Sequence, residues 1–132
     1  MSCGTILTER AYLSVHVPFL QLARMRSGRE PYSVFFQLTI QNVSTVRVQL
    51  LGRKWTIHEG NDTLRIIEGE HVFGVDPVLA PECVFGYSGR LCFAECPRAM
   101  ELRFFGYDET ASCFISPPCT FPIQNLTLTQ EK

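Results

Sequence analysis

"YSVFFQLTIQNVSTVRVQLLGRKWTI", residues 32–57, is the stretch whose reading decides the fold. Its first part alternates strictly, with Val34, Phe36, Leu38 and Ile40 on one face and Ser33, Phe35, Gln37 and Thr39 on the other. A period of two is the pattern of a pleated strand with one buried side. "NVST" then turns the chain. Val46, Val48 and Leu50 resume the alternation, after which Leu51, Arg53, Trp55 and Ile57 carry the opposite parity. A slip of one residue beside Gly52 predicts a β-bulge, which lets one long strand serve two packing environments.

Working outward, the same period marks further strands at Ala11–Phe19, Thr63–Ile67, Cys83–Tyr87, Met100–Phe105 and Cys113–Ser116, with an extended piece near Phe121–Thr127. "SGREP" parts the first two strands, and "HEGND" makes a hairpin after Ile57. "VPFLQLARM" has room for one helical turn, which Pro18 keeps short. Short strands with frequent turns predict an all-β, two-sheet antiparallel sandwich of about seven to eight strands. The domain is expected over residues 11–124, with an N-terminal extension (1–10) and a C-terminal tail (125–132).

Composition narrows the function. The 132 residues are 45% hydrophobic, with 12 basic and 13 acidic side chains, so no polycationic field drives contact with nucleic acid or an anionic membrane. No run approaches the ~18 apolar residues of a membrane span. "AYLSVHVPFLQLA" alternates like a strand rather than a signal peptide, so an intracellular chain is expected, in cytoplasm or mitochondrial matrix. Against this stand three N-x-S/T triplets, at Asn42, Asn61 and Asn125. The six cysteines are expected to be free, buried thiols. Cys92, Cys96, Cys113 and Cys119 are a weak alternative as zinc ligands, since neither pair has the C-x2-C spacing. His16, His58 and His71 are scattered, and no nucleophile–base motif is present, so the chain reads as non-enzymatic, with no catalytic residue and no cofactor.

From "QNVSTVRVQLLGRKWTI" onward the sequence resembles the ApaG domain family. The resemblance rests on Asn42 and Ser44; on Val48, Gln49, Leu50, Leu51, Arg53, Trp55 and Ile57; on Gly69 and Gly74; on Pro77, Leu79 and Pro81; and on Phe85, Tyr87, Ser88 and Gly89. It runs from about Tyr12 to Ile123. It implies a fibronectin type III or immunoglobulin-like sandwich in which Arg53 and Trp55 belong to the core signature of a central strand. It also implies a protein-interaction or assembly module, since family members occur alone in bacteria and as modules of F-box and polymerase-delta-interacting proteins. The bacterial form is linked in name to diadenosine tetraphosphate metabolism, and its glycine loop to pyrophosphate. This sequence departs from the pattern at His71, where the loop's middle glycine would stand. It departs again at "PRAMELRF", where Leu102 and Phe104 replace a glycine and a tyrosine.

The alternative function therefore falls on "IIEGEHVFGVDP", residues 66–77: a nucleotide polyphosphate or divalent metal held by Gly69, His71 and Gly74. A phosphate loop needs a helix N-terminus behind it, and here Pro77 and Pro81 predict an extended path instead. Glu68, Glu70 and Asp76 repel an anion. The expectation is that Gly69 and Gly74 supply positive-φ turn positions. For partner binding the candidates are Phe35 and Phe105, each among polar neighbours on its own face, and Phe73 in the loop. Partners are expected to be other proteins, docked on these aromatics or added to a sheet edge as an extra strand.

Overall fold

The structure is a computed structural model that describes residues 8–60, 63–70, 74–123 and 126–130. Eleven strands follow in order: β1 (Thr8–Glu9), β2 (Leu13–Arg24), β3 (Tyr32–Asn42), β4 (Val48–Glu59), β5 (Thr63–Glu70), β6 (Val78–Leu79), β7 (Val84–Phe93), β8 (Pro97–Asp108), β9 (Cys113–Ile115), β10 (Cys119–Phe121) and β11 (Thr129–Gln130). The larger sheet runs β1-β9-β8-β4-β5, with β10 also on β8 and β6 also on β4. The smaller sheet runs β11-β2-β3-β7. Among the described residues there is no α-helix. The order β2-β3-β7 against β5-β4-β8-β9 is that of a fibronectin type III-like sandwich, as the alternation predicts.

The alternation places the core. Val34, Phe36, Leu38 and Ile40 of β3 face Val48, Leu50, Trp55 and Ile57 of β4 and Met100, Leu102 and Phe104 of β8, all buried in one cluster. Trp55 sits edge-on to Phe36 (centroids 5.4 Å apart) and to Phe121 (5.2 Å), and closes the centre of the sandwich. Each such side chain stabilises the fold by about 1.5–3 kcal/mol. The exposed ion pairs, such as Lys54–Glu68 at 3.9 Å, contribute at most about 1 kcal/mol each. Packing holds this molecule together.

The bulge is where the parity slip predicts it: pairing of β4 with β8 shifts register between Leu50 and Gly52. Its purpose differs from the expectation. The extra residue keeps Val48 and Leu50 on one side of it, and Trp55 and Ile57 on the other, pointing into the same core. Gly52 itself is needed because the Phe105 ring lies over it, where a Cβ would overlap the ring. In β2 the segment proposed for a helical turn is strand, with a register shift of its own between His16 and Phe19 around Pro18.

Asn42, at the end of β3, is the main polar fixture. It is fully buried, and its Nδ2 donates to the carbonyls of Val46 (2.7 Å) and Leu79 (2.9 Å). Its Oδ1 accepts from the Ser44 amide (2.9 Å) and hydroxyl (2.7 Å). One amide thus ties the turn between the sheets to β6, which explains the N-x-S pattern as structure. With both Nδ2 hydrogens committed, Asn42 cannot accept a glycan in the folded chain; Asn61 and Asn125 lie outside the described residues.

Two further joints close the ends. Ser116 precedes Pro117 and Pro118, which cannot donate to a ladder. Its amide donates to the Phe104 carbonyl (2.8 Å) and its hydroxyl accepts from the Phe104 amide (2.8 Å), so β8 stays paired between β9 and β10. In the β8–β9 turn, Asp108 Oδ1 accepts from the Thr110 amide and hydroxyl and the Ser112 amide, while Oδ2 accepts from the Tyr12 hydroxyl at 3.1 Å. The Thr110 hydroxyl most of all holds the Asp108 carboxyl below its ordinary value of 3.8, against the opposing pull of burial. A depressed carboxylate adds stability above its unfolded pKa and loses it as pH falls through the folded value. Wild type should therefore exceed Asp108→Asn in melting temperature at pH 6. The gap should shrink below about pH 4, a trend that melting curves of both proteins taken from pH 6 to 2 will check.

Candidate docking surface

Sheet order decides which faces and edges are open. β5 pairs with β4 alone among the described strands, from Thr63↔Glu59 to Glu70↔Gly52, so its far side is a free edge. Ile67 faces Trp55 and packs on the core, which turns Leu64 and Ile66 outward. Both are 53% exposed, side by side on the outer face of the larger sheet, beside Thr56 and His58 of β4. On the inner side Arg65 meets Glu59 at 3.6 Å and Glu30 at 3.8 Å. Exposed apolar side chains on an unprotected edge are what native sheets ordinarily avoid.

The other edges are different. β2 has Pro18 and a register shift, both of which spoil strand addition, and β11 covers its end at Ala23 and Arg24. β7 turns Gly86, Ser88 and Arg90 outward together with Val84, which is 55% exposed at the start of the strand. Beside it a shallow hollow of about 300 Å³ lies over Gln37, Thr39 and Gly86, with Pro18 at one side.

The aromatics named from the sequence fall elsewhere. Phe35 is on the outer face of the smaller sheet, half-buried under the Arg90 guanidinium, 5.3 Å from its ring centre. Phe105 is on the outer face of the larger sheet, half-buried over Gly52. They sit on opposite sheets and do not share a surface. Phe73 lies outside the described residues, as does His71.

The glycine loop is corrected in one half. Gly74 has φ 87°, a turn position as expected, but Gly69 is an interior residue of β5, paired with Arg53 and without positive φ. A Cβ on Gly69 would stand 2.6 Å from Arg53 Nη1. Gly69 makes room for the guanidinium. No helix follows Gly74; the chain runs extended into β6.

The cysteines are corrected too. Cys83 is free and exposed; Cys92, Cys96 and Cys119 are free and half-buried; Cys113 is disulfide-bonded, against the expectation of free thiols throughout. Burial pushes the Cys96 and Cys119 thiols up, which makes them poor nucleophiles. Among the described residues no three His, Cys, Asp or Glu side chains converge as metal ligands, so the four-cysteine zinc alternative has no geometric support there. No helix of the described residues is long and apolar enough to cross a membrane.

Strand order, bulge and buried asparagine together define a fibronectin type III-like sandwich domain. A family model for the ApaG domain matches residues 23–104, more than half of the chain. The chain belongs to the ApaG domain family. It is 34% identical over 83 residues to Protein ApaG of Escherichia coli O1:K1 and to Protein ApaG of Shigella boydii serotype 18, a match covering 63% of this chain and 66% of each relative. The chain thus spans just under two thirds of the length of these curated relatives. Among solved structures, an ApaA protein from Bordetella pertussis superposes with a TM-score of 0.70 at 22% identity, covering 86% of this chain and 94% of that one. A structural-genomics X-ray structure gives 0.73 at 19% identity, covering 92% and 95%. At these identities the likeness is one of fold.

Proposed function

We propose that this ApaG-family domain is a non-enzymatic interaction module that docks other proteins along β5 and the adjoining outer face of the larger sheet. The observation that carries this is the pair Leu64 and Ile66, each 53% exposed on a strand whose second edge is open among the described residues. A partner strand laid on that edge satisfies backbone groups and covers apolar surface in one step. The charges around the glycine loop weigh against a polyphosphate there: Glu68 and Glu70 stand on β5 and Asp76 follows Gly74.

The test is affinity purification of the tagged chain from its native source, with mass spectrometry of co-purifying proteins, for wild type, Leu64→Glu and Ile66→Glu. Both side chains point to solvent, so melting temperatures should stay within a few degrees of wild type while a specific partner is lost by about tenfold or more. Equal recovery with all three proteins would remove β5 as the docking surface.

A further inference from the structure

We propose that the hollow on the outer face of the smaller sheet is a binding site for a neutral sugar ring. It lies on the sheet opposite β5, so it stands or falls apart from the docking reading above. The floor points to it first. Glycine inside a strand weakens it and marks a bulge, a turn conformation or a close approach. β7 pairs with β3 in unbroken register through Gly86↔Thr39, and Gly86 has no positive φ. Nor does the fold crowd it. A Cβ there would meet only the Leu38 carbonyl oxygen, at 3.9 Å, whereas at Gly52, Gly89 and Gly106 it would overlap a neighbour. What the missing side chain leaves open is the floor of the hollow, which holds about 300 Å³.

The lining sets the ligand's chemistry. Gln37 and Ser88 face each other across β3 and β7, next to the pair Thr39 and Gly86, and all four lie on the outer face. Among the described residues, the side chains of Gln37, Thr39 and Ser88 have no hydrogen-bond partner. An amide and two hydroxyls can each donate and accept, so they suit a ligand whose groups also do both, as sugar hydroxyls do. A peptide finds less there, because the backbone of β3 is already paired on both sides, with β2 and with β7. No charged side chain lines the hollow. The ionisable groups flanking it on this face are engaged: His16, across from Thr39, with Ser14 at 3.2 Å, and Arg90 with Ser33 at 3.2 Å. Pro18 forms one wall, and Phe19, 44% exposed, pairs with Gln37 on the same face. Apolar rings beside uncharged hydrogen-bonding groups match a pyranose, with its C–H face and hydroxyl rim, and not a phosphate or carboxylate.

The experiment is an NMR titration of the isotope-labelled full chain with glucose, N-acetylglucosamine and maltose, and with a hexose phosphate and triglycine alongside. A shallow site built on a few hydrogen bonds should bind with a dissociation constant of about a millimolar or weaker, so each titration runs to tens of millimolar. Amide shifts should gather at residues 37–39 and 86–88 with at least one neutral sugar. Gly86→Val should abolish them by filling the floor with a side chain that suits a strand. Gln37→Ala, at an exposed position, should weaken binding by about fivefold and carries the test if the valine variant does not fold. Absence of localised shifts with all of the neutral sugars overturns the site, as does binding indifferent to both substitutions. Equal or stronger shifts with the hexose phosphate or triglycine overturn the assignment to a neutral sugar.

Discussion

Alanine at position 106 is expected to cost the fold on the order of 4 kcal/mol, a large share of the total stability of a domain this size. Gly106 of β8 pairs with Leu50 immediately before the bulge and with Phe114 of β9. A Cβ there would overlap the Gln49 carbonyl oxygen and stand 2.9 Å from its carbon and 3.1 Å from Leu50 Cα. All three obstacles are backbone, so no rotamer change relieves them, and the central pair of strands in the larger sheet must separate or shift register. Gly86→Ala is the control. Its nearest neighbour is the Leu38 carbonyl oxygen at 3.9 Å, and its φ is not positive, so the change should stay within about 1 kcal/mol. Urea titrations of both variants separate the cases. A Gly106→Ala midpoint near that of wild type would mean that β4 and β8 do not approach as described.

Replacing Asn42 by leucine should be nearly as damaging, by about 3 kcal/mol or more, since each buried polar group left without its partner costs about 1–3 kcal/mol. The variant keeps the number of side-chain heavy atoms, strips the Leu79 carbonyl and the Ser44 amide of their Asn42 partner, and leaves the Val46 carbonyl only the Ser44 hydroxyl. Asn42→Asp distinguishes hydrogen bonding from size. It retains an acceptor for Ser44, loses both donors, and places a charge at a site with no exposure, so it should fall at least as far as leucine. Ser44→Ala, at a half-buried position, should lose about 1 kcal/mol. Equal midpoints for Asn42→Leu and Ser44→Ala in thermal melts would show that Asn42 is not the anchor of the turn.

Much of this architecture was legible in the order of residues. Val34, Phe36, Leu38 and Ile40 announced a buried face because a pleated backbone has only two sides. The change of parity at Gly52 located the bulge. What parity could not supply was partnership between distant segments. Gly69 read as a turn because nothing local shows that Arg53, sixteen positions earlier, sends its side chain across it. β1 and β11, two residues each, exist only through parallel pairing with β9 and β2, and no local pattern marks them. The candidate surface was the least legible part. In "TLRIIEGE" both faces carry apolar residues, and only the sheet order shows that Ile67 is inside while Leu64 and Ile66 are not. Phe35 and Phe105 drew attention by type, yet each is half-covered by a neighbour that sequence spacing does not bring near: Arg90 for one, the face of Gly52 for the other.

Trp55 is the chain's single indole, 1% exposed, set between Phe36 of one sheet and Phe121 of the other. Its emission therefore comes from one environment and should be blue-shifted, moving to the red when water reaches the seam between the layers. The protein carries an intrinsic optical gauge at its own midpoint, and layer separation can be followed without attaching a dye.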